Sequence, residues 1–375
     1  MYSIPFNQPY VTGNEWVYVQ DALAQGRLSS NGKYTYKCQQ FFESTFGFRK
    51  TFLTHSCTQA LEMAALLLNL GPEDEVILPS YAYVSTANAF ALRGCQLVFA
   101  DSRPDYPGID ETKIERLINS RTRAIVLVHY GGVACNMEPI LDLCNRYDLF
   151  LIEDAAAALD GYYMSKEGDA RPLGSMGDFA TFSFHETKNI SCGEGGLLVV
   201  NNPSFFQEAD WVWNRGTNRS DFDKGNRSSY EWVRLGSAFG PSEIAAAWLW
   251  AQLENLPAIQ KKRAAVWYWY QSHLREVLPS FSSQLPKIPT FARQNFNTFY
   301  LLMDQPRDRE DLIAYLKSKG ILSVFHYRCL HLSPYFRDKY QGKPLVQAEK
   351  YQERLLRLPV FADLDVNQLE KELIS

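Results

Sequence analysis

Paired cysteines, long apolar runs and a strong charge excess are all missing from this sequence. Its seven cysteines (38, 57, 95, 135, 144, 192 and 329) are odd in number and scattered, and no two stand as Cys-x-x-Cys. That spacing argues against a disulfide framework and against a zinc cluster, leaving reduced thiols as the expectation. No apolar run approaches the roughly eighteen residues of a membrane helix. The start, Met1-Tyr2-Ser3-Ile4-Pro5-Phe6-Asn7, lacks the basic and apolar regions of a secretory signal, so a cytoplasmic protein with no membrane partner is expected. With 38 basic against 42 acidic residues the net charge is −4, and a nucleic-acid partner, which calls for a basic excess, is not expected. An anionic small molecule held locally by arginine, histidine or a helix N-terminus remains open. Histidine is scarce, at six residues, with no His-x-x-x-His pair beside an acidic residue, so no catalytic metal is expected. Internal repeats and low-complexity segments are also lacking.

What is present is a chain of 375 residues, 46% hydrophobic and 14% aromatic. That length suits two domains and buries roughly three-quarters of the unfolded surface without staples. Short apolar strands alternate with helices. Strands are expected at Thr51–Thr54, Glu75–Pro79, Cys95–Ala100, Ala124–Val128 (within Arg123–His129) and Leu149–Ile152. Between them helices are expected at Cys38–Phe46, Ala60–Leu70, Tyr81–Leu92, Asp110–Asn119 and Met137–Tyr147. Such alternation predicts an α/β fold with a large, mostly parallel sheet and crossovers on both faces. Phe179–Phe184 and Gly196–Val200 flank a polar loop and predict an antiparallel addition to that sheet. Helices follow at Glu243–Leu253 and Ala258–Leu278. A boundary near Leu256 divides a large domain (1–256, with the N-terminal segment) from a smaller α+β domain (257–375). The smaller domain holds Phe299–Leu302, a helix Arg309–Lys319 and Leu322–Phe325. Trp248, Trp250, Trp267 and Trp269 read as packing or subunit-interface residues.

Three short stretches carry the chemistry. Ser56-Cys57-Thr58-Gln59 lies where a strand hands over to a helix, an anion site by its free N–H groups and helix dipole, although serine and threonine also cap helices everywhere. Glu153-Asp154 ends an apolar strand before four alanines, where a carboxylate can meet a cationic ring nitrogen or simply cap a helix. Lys188 sits in a loop running on to Gly193-Glu194-Gly195-Gly196, where desolvation would favour a nucleophilic amine; singly, it reads as a solvated charge. Together they supply a phosphate cradle, a ring-nitrogen carboxylate and a Schiff-base lysine, the equipment pyridoxal 5′-phosphate requires. His129 and His185 admit structural readings at least as well as catalytic ones, and Cys57 reads as a small helix-start residue.

The same residues resemble a known family. Pro79-Ser80-Tyr81-Ala82-Tyr83-Val84-Ser85-Thr86, Glu153-Asp154-Ala155-Ala156 and Phe182-Ser183-Phe184-His185-Glu186-Thr187-Lys188-Asn189 are similar to motifs of the DegT/StrS sugar-nucleotide aminotransferases. The likeness runs from Phe6-Asn7 to Arg354–Pro359. Arg215–Ser220 and Phe325-His326-Tyr327 resemble the branch that aminates dTDP-4-dehydro-6-deoxyglucose for surface polysaccharide. The resemblance implies a fold-type I enzyme, homodimeric, with active sites shared between subunits and L-glutamate as donor. It implies that Lys188 forms the Schiff base, Asp154 holds the pyridinium nitrogen, and Tyr83 stacks on the ring in place of the usual Phe or Trp. It further implies that Thr58, Gln59 and Ser183 bind the phosphate, and that Asn218, His326, Tyr327 and His331 lie toward the sugar nucleotide, Asn218 from the partner's loop. Two positions depart from the pattern: Ala157 stands where Gln or His is usual, and Ala238 where Asn or Ser often binds the partner's phosphate. A 3-keto or UDP-linked sugar, or a non-catalytic cofactor-binding paralogue, are the competing readings. A dehydratase of the same fold replaces the lysine by histidine, which Lys188 opposes.

Overall fold

The computed structural model describes residues 2–277 and 283–374. Helices α1 (Glu15–Ala24) and α2 (Lys33–Phe46) lead into β1 (Lys50–Thr54), α3 (Cys57–Leu67), β2 (Glu75–Pro79), α4 (Val84–Ala91) and β3 (Gln96–Ala100). Next come β4 (Thr122–Val128), α5 (Met137–Tyr147), β5 (Phe150–Asp154), β6 (Tyr162–Met164), β7 (Ala170–Pro172), β8 (Phe179–Ser183) and β9 (Gly196–Val200). Helices α6 (Phe206–Trp213), α7 (Arg219–Asp223), α8 (Glu243–Glu254) and α9 (Leu256–Val277) complete the first part. The remainder holds β10 (Ser283–Gln284), β11 (Ala292–Arg293), β12 (Phe299–Met303), α10 (Pro306–Ser318), α11 (Val346–Arg354), β13 (Leu355–Leu358) and α12 (Val366–Ile374).

A seven-stranded sheet in the order β1-β9-β8-β5-β4-β2-β3 forms the centre. Neighbours from β8 to β3 pair in parallel, and β9 alone runs against the rest, as its antiparallel pairing with both β1 and β8 shows. The strands are almost wholly apolar because both faces are covered. Alternate side chains go to opposite layers. Ile77, Ile125 and Leu127 pack with Phe42, Ile140 and Ala246 of α2, α5 and α8. Val76, Leu78 and Val126 pack with Ala64 of α3, Phe90 of α4 and Ala209 of α6. A change at any of these sites to Ala forfeits about 2–5 kcal/mol when the residue is a large aliphatic one.

The C-terminal part builds a second sheet, β10-β12-β13, antiparallel throughout. Its core gathers Trp267, Phe299, Leu301, Leu312, Leu316, Leu356 and Leu358. From the N-terminal segment Ile4 is buried in this core and bridges Ile321. The Ile4 N–H donates to the Gly320 carbonyl at 3.1 Å, which binds the segment to the end of α10.

Several local expectations are revised. Asp110–Asn119 is not one helix but two 3-10 turns, Glu111–Lys113 and Glu115–Leu117. Side chains compete there with the helical ladder: Asp110 takes the Thr112 N–H at 3.2 Å, and Glu111 pairs with Arg103 at 2.6 Å. Within Leu322–Phe325, Val324 makes an isolated bridge to Arg357. A small sheet, β11-β6-β7, was not foreseen. The expected helix end at Leu278 and the break at Pro279 lie outside the described residues.

Candidate active site

Parallel strands deliver their carboxyl ends to one edge of the sheet, and a cavity of about 600 Å³ opens there. After β1 the chain turns at Ser56, whose Oγ accepts the Gln59 N–H at 3.2 Å and caps α3. The first N–H groups of α3 have no carbonyl within the helix to receive them, so the helix start offers donors to the cavity. The Thr58 hydroxyl, also in the lining, donates to Ser85 Oγ at 2.8 Å. Gly196 of β9 passes against this turn, and a Cβ there would overlap the Ser56 carbonyl carbon and the Cys57 nitrogen. A glycine is thus required for the cradle to close. Burial pushes the Cys57 thiol up, so it stays protonated beside the helix start.

Strand β5 ends in two carboxylates that alternation sends opposite ways. Glu153 is wholly buried and accepts from His129 Nε2 at 2.9 Å and from the Gly174, Met176 and Gly177 N–H groups at 2.8, 2.8 and 2.6 Å. Burial resists its ionisation, but His129 and the backbone donors outweigh it and hold the carboxyl below its usual range. Asp154 enters the cavity. Its Oδ2 accepts from Thr86 Oγ1 at 2.6 Å and its Oδ1 from the Ala156 N–H at 3.1 Å. Burial raises its pKa, and the Thr86 and Ala156 donors together with the charge of Lys188 work against that rise. This is a carboxylate kept in position for a cation still to come.

Lys188 stands in the loop between β8 and β9 and lines the same cavity. Among the described residues no hydrogen bond or ion pair engages its ammonium group. Its neighbour Asn189 is buried and fixes the loop from behind. The Asn189 amide donates to Gln260 Oε1 and to the Asn295 carbonyl, both at 2.7 Å, and its Oδ1 accepts from Asn297 Nδ2 at 2.8 Å. The His185 ring stays within the loop, 3.0 Å from Thr187 Oγ1. Ser183, at the end of β8, also faces the cavity.

The far wall comes from the C-terminal part. The carbonyl of His326 accepts from Tyr81 at 2.6 Å and from Tyr130 at 3.0 Å, and its ring stacks on Tyr327 with centroids 5.1 Å apart. The Tyr83 ring, 58% exposed at the mouth, is 5.9 Å from that of Tyr327. Burial, then the charges of Arg357 and Lys188, lower the His326 pKa to about 4, so its imidazole is neutral at ordinary pH.

A family model for DegT/DnrJ/EryC1/StrS aminotransferases matches residues 9–371. The chain belongs to that family. Solved structures agree with the assignment. The aminotransferase TlmJ from Streptoalloteichus hindustanus is 26% identical, with a TM-score of 0.87 over 100% of this chain and 97% of that one. DesV from S. venezuelae, also 26% identical, gives a TM-score of 0.84 over 96% and 93%. Spr1654 from Streptococcus pneumoniae, named a putative sugar aminotransferase and solved in its PMP form, shares the fold at 22% identity, with a TM-score of 0.88 over 99% and 98%.

The cofactor of this aminotransferase is pyridoxal 5′-phosphate, and the residues present fit it. The turn at α3, where a Cβ on Gly196 would intrude, has donors that could meet a phosphate; Asp154 would face the ring nitrogen, and the Lys188 side chain, with no partner among the described residues, would be the one to join the cofactor. Of the ten residues singled out by sequence, Thr58, Tyr83, Asp154, Ser183, Lys188, His326 and Tyr327 line one cavity. Gln59, Asn218 and His331 do not. Gln59 lies one position further round α3, where its Oε1 is buried. Asn218 is buried in its own loop, accepting the Glu231 N–H at 2.8 Å. His331 is buried between Ser80 Oγ at 2.6 Å and Glu349 Oε1 at 3.2 Å, a latch between the two parts of the chain. Ala157 does line the cavity, whereas Ala238 is exposed on the single chain. Sequence reasoning missed Thr86, Thr298 and Arg357 in the lining. For Arg357 a signal existed: one charge between Leu356 and Leu358 in an otherwise apolar strand.

Proposed function

We propose that this aminotransferase moves the amino group of L-glutamate onto the keto carbon of a nucleotide-linked sugar. The substrate we assign is dTDP-4-dehydro-6-deoxy-D-glucose, and the product is a dTDP-4-amino-4,6-dideoxyhexose for surface polysaccharide. The observation that carries the reading is the meeting, in one cavity, of an unengaged Lys188, an anchored Asp154 and the His326–Tyr327 wall. The match of Arg215–Ser220 and Phe325-His326-Tyr327 to the dTDP-sugar branch supports the choice of substrate. Helicobacter pylori PseC, an aminotransferase of pseudoaminic acid biosynthesis with a TM-score of 0.87 at 24% identity, shares the fold.

When bound, pyridoxal phosphate supplies an electron sink that stabilises negative charge at the carbon losing or gaining its proton. The chain's own residues do the rest. Donors at the start of α3, with Thr58 and Ser183, anchor the phosphate. Asp154, oriented by Thr86, keeps the ring nitrogen protonated. Tyr83 covers a face of the ring. The Lys188 Nζ carries the proton between the carbons, and the face it reaches decides product stereochemistry. His326 and Tyr327 border the sugar. We further propose a cytoplasmic homodimer in which the Asn218 loop and Ala238 face the partner.

Visible absorbance of the purified protein with added pyridoxal phosphate tests this. A band that Lys188→Ala abolishes, and that L-glutamate converts to the amine form, is the expected result. Amination of dTDP-4-keto but not 3-keto or UDP-linked sugars then fixes the substrate. No band at all would overturn the reading.

A further inference from the structure

Resting on that reading, we propose that Arg357 is the carboxylate-binding group of the active site and receives the amino donor. The side chain is aimed by its backbone. Strand β13 pairs with β12 at Tyr300, and on its other edge the Arg357 N–H and carbonyl bridge Val324 at 2.8 and 3.1 Å. Leu356 and Leu358 on either side enter the core of the C-terminal part. Alternation therefore turns Arg357 the opposite way, into the cavity wall.

Its guanidinium finds neutral company there. Nη2 donates to Thr298 Oγ1 at 2.8 Å, Nη1 lies 3.4 Å from His326 Nδ1, and the Phe6 ring covers it with 5.3 Å to the centroid. The Nε atom is buried with no partner. Five N–H donors in a rigid fork are thus mostly unmatched, and among the described residues no carboxylate reaches them.

The nearby charges sharpen the point. Arg263 is buried behind the same corner, donating to the Asn297 carbonyl at 2.9 Å and the Phe296 carbonyl at 3.3 Å. Burial, then the charge of Arg357, lower its pKa to about 9. Two guanidiniums share one corner with no anion among the described residues, an arrangement that favours an incoming one. The carboxylates of the cavity do not answer it: Asp154 is held by Thr86 and Ala156, and Glu194 lies at 3.6 Å from His185. A planar fork matches a carboxylate in two parallel hydrogen bonds. Of the two substrates, only the amino acid brings carboxylates to the reacting carbon's neighbourhood; the sugar ring beside its keto group is uncharged.

The test uses the cofactor-loaded enzyme with Arg357→Gln and Arg357→Lys, titrated calorimetrically with glutarate, a dicarboxylate that cannot react. Loss of a charge-assisted pair predicts binding weaker by about 10- to 100-fold in the Gln variant, with Lys between. The visible band persisting in each variant shows that fold and cofactor site survive. In single turnovers the deficit falls on the L-glutamate half-reaction, as raised KM, well beyond any change in the keto-sugar half. L-Glutamine separates the two carboxylates of the donor. An equal loss with both amino acids assigns the α-carboxylate, and loss only with glutamate assigns the distal one. Unchanged glutarate affinity, or a deficit confined to the keto-sugar half, would overturn the proposal. Failure of the wild type to form the band would instead overturn the cofactor reading beneath it.

Discussion

Asp154 is buried against its charged form, and that has opposite consequences for stability and for chemistry. Burial raises its pKa in the folded chain, so the folded state binds the proton more tightly than the unfolded one. Stability of the cofactor-free protein therefore falls as pH rises from the ordinary carboxylate range, about 3.9, through the raised value. Asp154→Asn keeps an oxygen for the Ala156 N–H and removes the buried charge. Its melting temperature without cofactor is expected to match or exceed that of wild type at pH 7. Its transamination rate is expected to fall by about 10²–10³, the scale of a lost electrostatic partner at a reacting group. A calorimetric scan beside a stopped-flow glutamate assay checks both halves. His326 makes a second test at this scale. Its ring is expected to titrate near 4 because of burial and the charges of Arg357 and Lys188, and Arg357→Gln is expected to move that midpoint upward in ring-proton NMR. Asp154 at the end of β5 and Lys188 in the loop beyond β8 were legible in the sequence because an apolar strand announces where its carboxyl end will be. Thr86 and Thr298 were not, since the partners that define them lie 68 and 59 positions away, and the lone charge of Arg357 marked it without showing what it faces.

Elements translate those residues into geometry, and at the site the close fit is between β9 and the start of α3. Gly196 pairs with Thr54 on one side and Ser183 on the other, and its Cα faces the Ser56–Cys57 turn. Gly196→Ala must push β9 away from the helix cap, at a cost of about 1–3 kcal/mol for overpacking. If the displaced turn is the phosphate cradle proposed above, the variant is expected to lose cofactor affinity by more than its melting temperature alone would suggest; equilibrium dialysis against pyridoxal phosphate measures this. An unchanged affinity would show that the cradle lies elsewhere. The expected run of strands and helices was legible here because the sheet strands are short, mostly apolar runs set between polar or turn-forming residues. Asp110–Asn119 was misread because Asp110 and Glu111 make side-chain bonds that no periodicity reveals. His331 is near His326 and Tyr327 in sequence, but Ser80 and Glu349 draw it into the interior.

At the scale of the whole molecule, the single chain leaves large apolar side chains facing outward on the elements that the proposed partner would cover. Trp16 on α1 is 65% exposed, and Trp232, beyond the Asn218 loop, is 75% exposed. Leu235 and Ile244 on the following stretch are also exposed. The Asn218 loop is well braced from within: Asn218 closes on Glu231, and Arg234 pairs with Glu208 while reaching the Leu66 and Leu67 carbonyls at the end of α3. A braced loop carrying an exposed tryptophan is better suited to docking than to collapse onto its own chain. Sedimentation is therefore expected to give twice the 42.9 kDa chain mass. Trp232→Glu places a charge where the partner would bury an indole, and a desolvated unpaired charge costs several kcal/mol. That variant is expected to sediment as a monomer at micromolar concentration, with its far-UV circular dichroism intact. If Ala238 faces the partner's phosphate, the monomer also holds pyridoxal phosphate more weakly, and raising the protein concentration restores it. A dimer that survives Trp232→Glu would move the interface to the α1 face, where Trp16→Glu is the next variant to make.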